Sequence, residues 1–242
     1  MSYEEWAIFE PFLAAPGERG GRPPGDHRRV LEGIFWINRT GAPWRDLPAE
    51  FGNWNSLWRQ FRRWAQSGVW DVMLEGFADS SVIRAHRCAA GIKGGDSKSG
   101  AGPLPGGFSS KLHLRVNADG LPIAAVLSPG EAHDVSAYDD LMAQRASDPG
   151  ALLADKGYNS DAIRQDLKDR GAAPEIPTKR NRIVQYSVDK PLYALRARIE
   201  HCIGHLKEQR RIATRYDKTE SSFLGFVLLG CLRCWIRFVH RA

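Results

Sequence analysis

The strongest constraint on the fold is a change of hydrophobic periodicity near residue 80. Before this point, apolar residues recur every three or four positions, as on the buried face of a helix. After it, polar and apolar residues alternate strictly from Lys111 to Val116, which is the period of a half-buried strand. Seven of the eight tryptophans also lie within the first 70 residues. The sequence therefore predicts an all-α domain over residues 1–75 and a sheet-containing α/β domain over residues 76–242.

The last helix of the first domain carries arginines along one side. A helix, a short segment and an arginine-bearing helix form the layout of a helix-turn-helix domain that reaches into a major groove. An ordinary solvated helix face is the alternative, because residues 1–75 carry nine basic and ten acidic side chains. Candidate N-caps in this domain are Ser2 with Glu5, Asp26, and Asn53 or Asn55. The apolar side holds Leu57, Trp58, Phe61 and Trp64, and the outer side holds Arg59, Arg62, Arg63 and Gln66.

The sequence pattern of the second domain predicts, in order, three strands, a helix, a strand, a helix, a strand and further helices. This order predicts a mixed sheet with helices on its faces, which is the arrangement of the ribonuclease H fold. The alternation predicts that Lys111, His113 and Arg115 face outward. The predicted strands are Ser81–Ala85, Lys111–Val116, Leu121–Leu127, Ala151–Ala154 and Pro174–Pro177, and the predicted helices are Val135–Arg145, Ser160–Arg170, Leu192–Arg211 and Phe223–Arg241.

Four polar side chains follow one another along the predicted helix Leu192–Arg211. Tyr193, Arg196, Glu200 and Lys207 are separated by gaps of three, four and seven residues, so an α-helix carries them on one stripe. A carboxylate flanked by cations at the margin of the core suits a metal ion and a phosphodiester. A salt-bridged helix surface is the alternative interpretation.

Two aspartates border predicted strands. Asp155 follows a short apolar strand, and Asp79 precedes one. Carboxylates at strand ends and on a facing helix can converge on hard cations, which prefer oxygen ligands. Two cations about 3.5–4 Å apart can activate a nucleophile and stabilise a leaving oxygen. Each aspartate taken alone is equally well explained as a cap or a surface charge.

Charge and apolar runs constrain the partners. The formal net charge is +6, and residues 170–242 carry 15 basic and six acidic side chains, a surplus of nine. A polyanionic partner is therefore expected. The apolar run Phe223–Leu232 is too short to span a bilayer, so no membrane partner and a cytoplasmic location are predicted. The four cysteines do not form a disulfide framework in a chain of this size.

Several sequence blocks resemble DDE transposases. The spacing of Tyr193, Arg196, Glu200 and Lys207 is similar to the motif around the catalytic glutamate of the insertion-sequence-four superfamily. Other blocks resemble the insertion-sequence-five family in their amino-acid sequence and in their order along the chain. Together they cover nearly the whole chain. These blocks are Thr40–Pro48 and Phe61–Trp64 in the first domain, and Asp79–His86, Gly106–His113, Ala154–Tyr158 and Arg210–Lys218 in the second.

The resemblance implies an enzyme that cuts and transfers DNA strands. It implies that Asp79, Asp155 and Glu200 hold two Mg²⁺ or Mn²⁺ ions, with no organic cofactor. Water would nick double-stranded DNA at the element's ends, and the freed 3′-hydroxyl would attack target DNA, in a complex of two protein copies. The residues expected to contact DNA are Tyr193, Arg196, Lys207, Arg59, Arg62, Arg63 and Lys111.

The sequence departs from the family at the first aspartate. The family runs an apolar strand into this residue, whereas here the helix-like segment Val69–Ala78 runs directly into Asp79. One hypothesis is therefore a weakened or inactive copy that only binds DNA, and another is a general ribonuclease-H-type nuclease. His86 is as well explained by packing as by catalysis, and Gly94–Gly107 is typical of a flexible loop.

Overall fold

A computed structural model describes residues 1–13, 26–80, 88–90, 110–144 and 148–239. Several sequence-based predictions fall outside this described part of the chain. They are the strand Ser81–Ala85, His86, the loop Gly94–Gly107 and the side chain of Asp79.

Ten helices and five strands are formed by the described residues. The helices are α1 Tyr3–Leu13, α2 His27–Thr40, α3 Trp54–Gln66, α4 Val69–Ser80, α5 Tyr138–Ala143, α6 Asp161–Asp169, α7 Lys190–Ala194, α8 Ala197–Lys207, α9 Arg210–Ala213 and α10 Glu220–Val239. The strands are β1 Cys88–Ala90, β2 Ser110–Val116, β3 Pro122–Pro129, β4 Ala151–Ala154 and β5 Ala173–Glu175.

The chain divides into two compact units. The first contains Met1–Met73 together with Lys207–Ala242, and the second contains Leu74–Leu206. The C-terminal helices therefore pack with the N-terminal ones, whereas the predicted division after residue 75 assigns them to the sheet domain. The physical reason is apolar burial: Phe226 of α10 stacks on Phe61 of α3, with ring centroids 4.2 Å apart.

The predicted caps of the first unit are present. Ser2 and Glu5 exchange reciprocal hydrogen bonds of 3.1 and 2.7 Å, which is a capping box. Asp26 and Asn53 each accept a backbone N–H at the start of α2 and α3, at 3.0 and 2.9 Å. Gly41 ends α2 with φ +69°, a left-handed value that favours glycine.

The connection between α2 and α3 is longer than the turn of a helix-turn-helix motif. It runs over residues 41–53 and contains the 3-10 turns Trp44–Asp46 and Ala49–Phe51. A helix-turn-helix motif joins its helices by a turn of roughly three or four residues. The cap of α3 lies at Asn53, as predicted, and the helix-turn-helix assignment stays a prediction.

The helix α10 is long and apolar enough to cross a membrane by length and composition alone. However, 67% of its apolar window is buried inside the protein. Its buried side chains, among them Phe226 and Leu229, are part of the core of the first unit. The helix is therefore accounted for as a core helix.

The second unit is built on a five-stranded mixed sheet of order β3-β2-β1-β4-β5. The pairs β3–β2 and β2–β1 are antiparallel, and the pairs β1–β4 and β4–β5 are parallel. A turn at Asn117–Gly120 joins β2 to β3, with Gly120 at φ +82°. The predicted α/β class with a mixed sheet is confirmed.

The polar face of β2 does not face outward, which corrects the prediction from its alternation. Lys111, His113 and Arg115 are all buried, at 8%, 0% and 1% of full exposure. Their neighbours Leu114 and Val116 are buried as well, so both faces of the strand are covered. Alternation predicts two chemically different faces, but it does not tell which face is covered by other elements.

The predicted helix Leu192–Arg211 is interrupted. It forms α7, α8 and α9 instead, with a break at residues 195–196 between the first two. Across this break the backbone N–H groups of Leu195, Arg196 and Arg198 bond three residues back, at 3.0–3.1 Å. Such 3-10 winding advances the chain about 120° per residue rather than 100°. Tyr193 and Glu200 therefore do not share one continuous α-helical stripe.

Candidate active site

The carboxylate of Asp155 is fixed at the end of the sheet. The four residues of β4 are all buried, and Asp155 follows them as the cap of a 3-10 turn, Lys156–Tyr158. Its Oδ1 accepts a hydrogen bond from the backbone N–H of Gly157 at 2.8 Å. The strand and the turn together fix both the position and the plane of this side chain.

A second carboxylate, that of Asp134, lies beside Asp155. A Cβ on Gly157 would meet Asp155 Oδ1 at 2.8 Å and Asp134 Oδ2 still closer. The two oxygens are therefore no farther apart than about 5 Å, a separation that one cation with oxygen bonds of about 2.0–2.6 Å can nearly span. Asp134 is not among the site residues predicted from the sequence.

Lys111 holds the Asp134 carboxylate. Its ammonium lies 3.1 Å from Asp134 Oδ1 and also donates to the backbone carbonyl of Ala132. The two side chains keep only 11% and 17% of their exposure. The prediction of Lys111 on an outward face is wrong, because its buried ammonium neutralises the half-buried carboxylate of Asp134. A lysine inside a strand that the fold covers on both faces requires a carboxylate partner, but this cover is not visible in the sequence.

A chain of hydrogen bonds fixes the side chain of Tyr158, at the end of the 3-10 turn that follows Asp155. His113 Nδ1 lies 2.6 Å from the Tyr158 hydroxyl, and His113 Nε2 lies 2.7 Å from Ser128 Oγ. The Ser128 hydroxyl donates to the carbonyl of Pro129 at 3.4 Å, so it accepts from Nε2–H, and Nδ1 accepts from Tyr158. Burial lowers the pKa of His113 and raises the pKa of Tyr158, which keeps both groups neutral in this arrangement.

Glu200 lies on α8 in a much more open setting. Its carboxylate pairs with the guanidinium of Arg196, and its side chain keeps 53% of its exposure. The prediction placed Glu200 at the margin of the core; this pair matches the alternative of a salt-bridged surface. Arg196 also lies over the Tyr193 ring, 5.9 Å from its centroid.

Tyr193 links the two acidic positions. Burial raises the pKa of its hydroxyl, and the negative charges of Asp155 and Glu200 raise the pKa further, against the opposing effect of Arg196. Both carboxylates therefore lie within electrostatic reach of one phenol. This brings Asp155, Glu200, Tyr193 and Arg196, all predicted site residues, into one neighbourhood of the second unit.

Asp79 occupies the last turn of α4 rather than the start of a strand. Its side chain is outside the described part, so the complete predicted triad has no measured geometry. Within the described ranges, no group of three or more His, Cys, Asp and Glu side chains is spaced to hold a metal ion. The first strand after Asp79 in those ranges is β1, which begins at Cys88.

The remaining predicted DNA contacts belong to the first unit. Arg59 and Arg63 are exposed on α3, and Arg62 is half-buried with its guanidinium 5.1 Å from the Trp58 ring centroid. Lys207 is exposed at the end of α8. Of the apolar side predicted for α3, Leu57, Phe61 and Trp64 are buried, and Trp58 is half-buried.

Comparisons with known proteins find insertion-sequence transposases. A relative described as "Putative transposase for insertion sequence element IS6501", from Brucella ovis, is 34% identical over 131 residues, which cover 54% of this chain and 100% of the relative. A second, "Putative transposase for insertion sequence element IS402" from Burkholderia cepacia, is 30% identical over 156 residues, covering 58% of this chain and 70% of the relative.

A solved structure of the Mos1 strand transfer complex aligns with 97% of this chain and 83% of its own, at 15% identity. Its TM-score is 0.35, too low to carry an argument about this fold. Family models are decisive instead. Residues 1–74 match the family described as "Putative transposase of IS4/5 family", and residues 71–235 match the family "Transposase DDE domain". The chain therefore belongs to the DDE transposase family, as the sequence blocks around Asp79, Asp155 and Glu200 predicted.

Proposed function

We propose that this protein is an insertion-sequence transposase that binds the ends of its element and cuts and joins DNA strands there. One observation carries the proposal: the Asp155 carboxylate is held at the end of β4 by the Gly157 N–H, in a chain whose match to the DDE domain spans both Asp155 and Glu200. Those two acids occupy the positions that the resemblance assigns to catalysis. The sheet order β3-β2-β1-β4-β5 supports a ribonuclease-H-like catalytic domain, since Asp155 follows the strand next to β1.

The donor set fits a hard divalent cation in its chemistry. Asp155 and Asp134 offer carboxylate oxygens near one another, and Glu200 offers another in the same neighbourhood. We propose that Asp155, Glu200 and Asp79 hold Mg²⁺ or Mn²⁺, two ions in all. Bound there, divalent cations would lower the pKa of an attacking water or hydroxyl and stabilise the leaving oxygen.

The residues of the chain have separate tasks in this proposal. Gly157 N–H orients the Asp155 carboxylate, and the Lys111–Asp134 pair keeps a second acid in place without adding net charge. Arg196 and Tyr193 contact the DNA backbone near the scissile phosphate. We propose this positioning role for Lys111 in place of the predicted DNA contact, because its ammonium is engaged by Asp134 and Ala132.

Two phosphoryl transfers follow in the proposed reaction. First, a water oxygen attacks the phosphorus at the element's end and displaces the 3′-oxygen, which leaves as a 3′-hydroxyl. That hydroxyl then attacks a target phosphodiester, so one phosphorus–oxygen bond forms as another breaks. No covalent enzyme intermediate is needed, and two protein copies bring the two ends together. Lys207, like Arg196, contacts phosphates near the scissile bond, and Arg59, Arg62 and Arg63 on α3 supply further contacts to duplex DNA.

Cleavage of a plasmid that carries the gene with its own flanking DNA tests the proposal. The wild type should nick at the element's ends in Mg²⁺ or Mn²⁺ and not in a chelator. Asp155→Asn and Glu200→Gln should each lower the rate more than about 100-fold while DNA binding is retained. Asp169→Asn, an exposed acid on α6, is the matched control and should cleave normally. Equal cleavage by wild type and Glu200→Gln would refute the assignment.

A DNA-binding protein without cleavage activity is the second candidate function. The observation that favours it is the course of α4, which continues through Asp79 as a helix. Ribonuclease H topology instead carries this aspartate on the central strand, and a displacement of about 1 Å can cost about 100-fold in rate. Binding to the element's ends by wild type and Glu200→Gln, with metal-dependent nicking by neither, would establish this second function.

A further inference from the structure

The segment between β5 and α7 forms a closed turn, Thr178–Tyr186, which we call the basic turn. The hydroxyl of Thr178 accepts the Tyr186 N–H at 2.8 Å and donates to the Tyr186 carbonyl at 3.3 Å. Inside it, Arg182 N–H bonds the Lys179 carbonyl at 3.0 Å, and the Gln185 amide donates to the same carbonyl at 3.3 Å. These bonds give a polar surface segment a defined shape.

A buried arginine fixes the basic turn to the rest of the second unit. Arg164 is only 4% exposed, and burial lowers its pKa. Its guanidinium donates to Asn159 Oδ1 at 3.1 and 3.2 Å and lies 4.1 Å from the centroid of the Tyr186 ring. Burying a guanidinium is unfavourable unless hydrogen bonds and packing compensate, so this support is a costly feature for a surface turn.

A second link joins the basic turn to the segment that follows the candidate catalytic aspartate. Arg182 donates to the same Asn159 oxygen at 3.1 Å and pairs with Asp161. Asn159 is only four residues after Asp155, and the segment after the turn continues into α7, which carries Tyr193. The turn is thus built into the same framework as the candidate site.

The basic turn exposes two cationic side chains and one apolar side chain to solvent. Lys179 and Arg180 are exposed, and Ile183 is fully exposed, at 100%. A single exposed apolar residue is unremarkable in itself, but here it stands beside two cations on a rigid support. Proteins that bind duplex DNA combine these two features: cations neutralise phosphates, and an apolar side chain contacts or separates bases in a groove.

We propose that the basic turn is a DNA-contacting element, in which Lys179 and Arg180 bind phosphates and Ile183 packs against bases in a groove. This inference rests on the proposed function, because it takes duplex DNA as the substrate. The charge surplus of residues 170–242, 15 basic against six acidic side chains, favours this polyanion over an uncharged protein surface.

The salt dependence of binding to a fluorescein-labelled random-sequence duplex tests the phosphate contacts. Each lost contact reduces the slope of log affinity against log salt by about 0.9, so Lys179→Ala with Arg180→Ala should reduce it by about 1.8. Lys168→Ala, an exposed lysine on α6, is the control and should keep the wild-type slope. An unchanged slope in the double variant would overturn the phosphate contacts.

Loss of the proposed Ile183 contact should lower the affinity for DNA without changing its salt dependence. Ile183→Ser should weaken binding several-fold with the wild-type salt slope, because no charge is removed. The control is Val72→Ser, which changes a side chain 54% exposed on α4 and should leave binding unchanged. Equal affinity of Ile183→Ser and wild type would exclude the groove contact.

Failure of this inference is distinct from failure of the proposed function. If the wild type binds and nicks DNA but the turn variants bind as the wild type does, only the inference falls. If the wild type neither binds nor nicks any duplex, the proposed function falls and takes the inference with it. Light scattering that shows self-association lost in the variants, with DNA binding unchanged, would assign the turn to a second copy and overturn the inference.

Discussion

Two regions of the second unit carry the predicted catalytic acids, and they are built differently. Around Asp155, a strand end, a glycine turn and a buried Lys111–Asp134 pair hold the carboxylate within the fold. Around Glu200, an exposed pair with Arg196 on a helix surface is the described support. Geometry at the first region is therefore fixed before any ligand arrives, whereas at the second a bound cation or DNA must complete it.

The largest expected difference concerns the two ion pairs. Lys111→Met leaves the half-buried Asp134 charge without its ammonium and should lower the free energy of unfolding by about 3 kcal/mol. Arg196→Met breaks the exposed pair and should lower the free energy of unfolding by less than about 1 kcal/mol. Urea unfolding of both variants measures the contrast.

A double variant sharpens this test. Lys111→Met combined with Asp134→Leu removes both charges and should recover most of the lost stability, since no buried charge is left uncompensated. Comparable losses for Lys111→Met and Arg196→Met would contradict the distinction between a fixed and an open region.

Replacing a glycine by alanine should lower the free energy of unfolding in the Asp155 region and raise it in the Glu200 region. Gly157→Ala places a methyl against both the Asp134 and Asp155 carboxylates. We expect the free energy of unfolding to fall by about 2 kcal/mol and the nicking rate to fall as well. Gly204→Ala on α8 meets no heavy atom within 4 Å and should gain about 0.5–1 kcal/mol from helix propensity. Thermal unfolding monitored by circular dichroism checks the signs, and a neutral Gly157→Ala would show that the two acids are not held against the turn.

The smallest expected effect is a pH dependence of the buried region. Because the pKa of His113 is lowered in the folded state, the unfolded chain takes up a proton first as pH falls below 6.5. Stability should therefore decline from that pH downward, by at most about 1.4 kcal/mol per pH unit, until the folded pKa is reached.

His113→Gln should remove this part of the slope. Leu114→Ala, a cavity variant on the same strand, is the control: it should lower stability by a similar amount at each pH and keep the wild-type slope. Parallel pH profiles for His113→Gln and the wild type would mean that His113 is not the titrating group.

Much of the fold could be predicted from local patterns. The caps at Ser2, Asp26 and Asn53 and the turn at Gly120 are short-range features, and the structure has them all. The mixed sheet followed from the order of strands and helices. What failed depended on long-range packing: the covered second face of β2, and the helix break between Tyr193 and Glu200, leave no local signal.

The candidate site shows the same limit. Asp155 and Glu200 were found through their motif, but Asp134 was not, because its role depends on Lys111, which lies 23 residues earlier on another strand. A pair of this kind becomes visible only when two chain segments are brought together. The supporting residues of a site are therefore harder to predict than the residues that the motif marks.

The first unit is discontinuous along the chain, and this has a consequence for biosynthesis. Phe61 belongs to α3, whereas its stacking partner Phe226 belongs to α10 and is synthesised after the whole of the second unit. The sheet unit emerges in between and can fold as soon as residue 206 is free. The helices α1 to α3 must therefore wait, with an incomplete core, until α10 has left the ribosome.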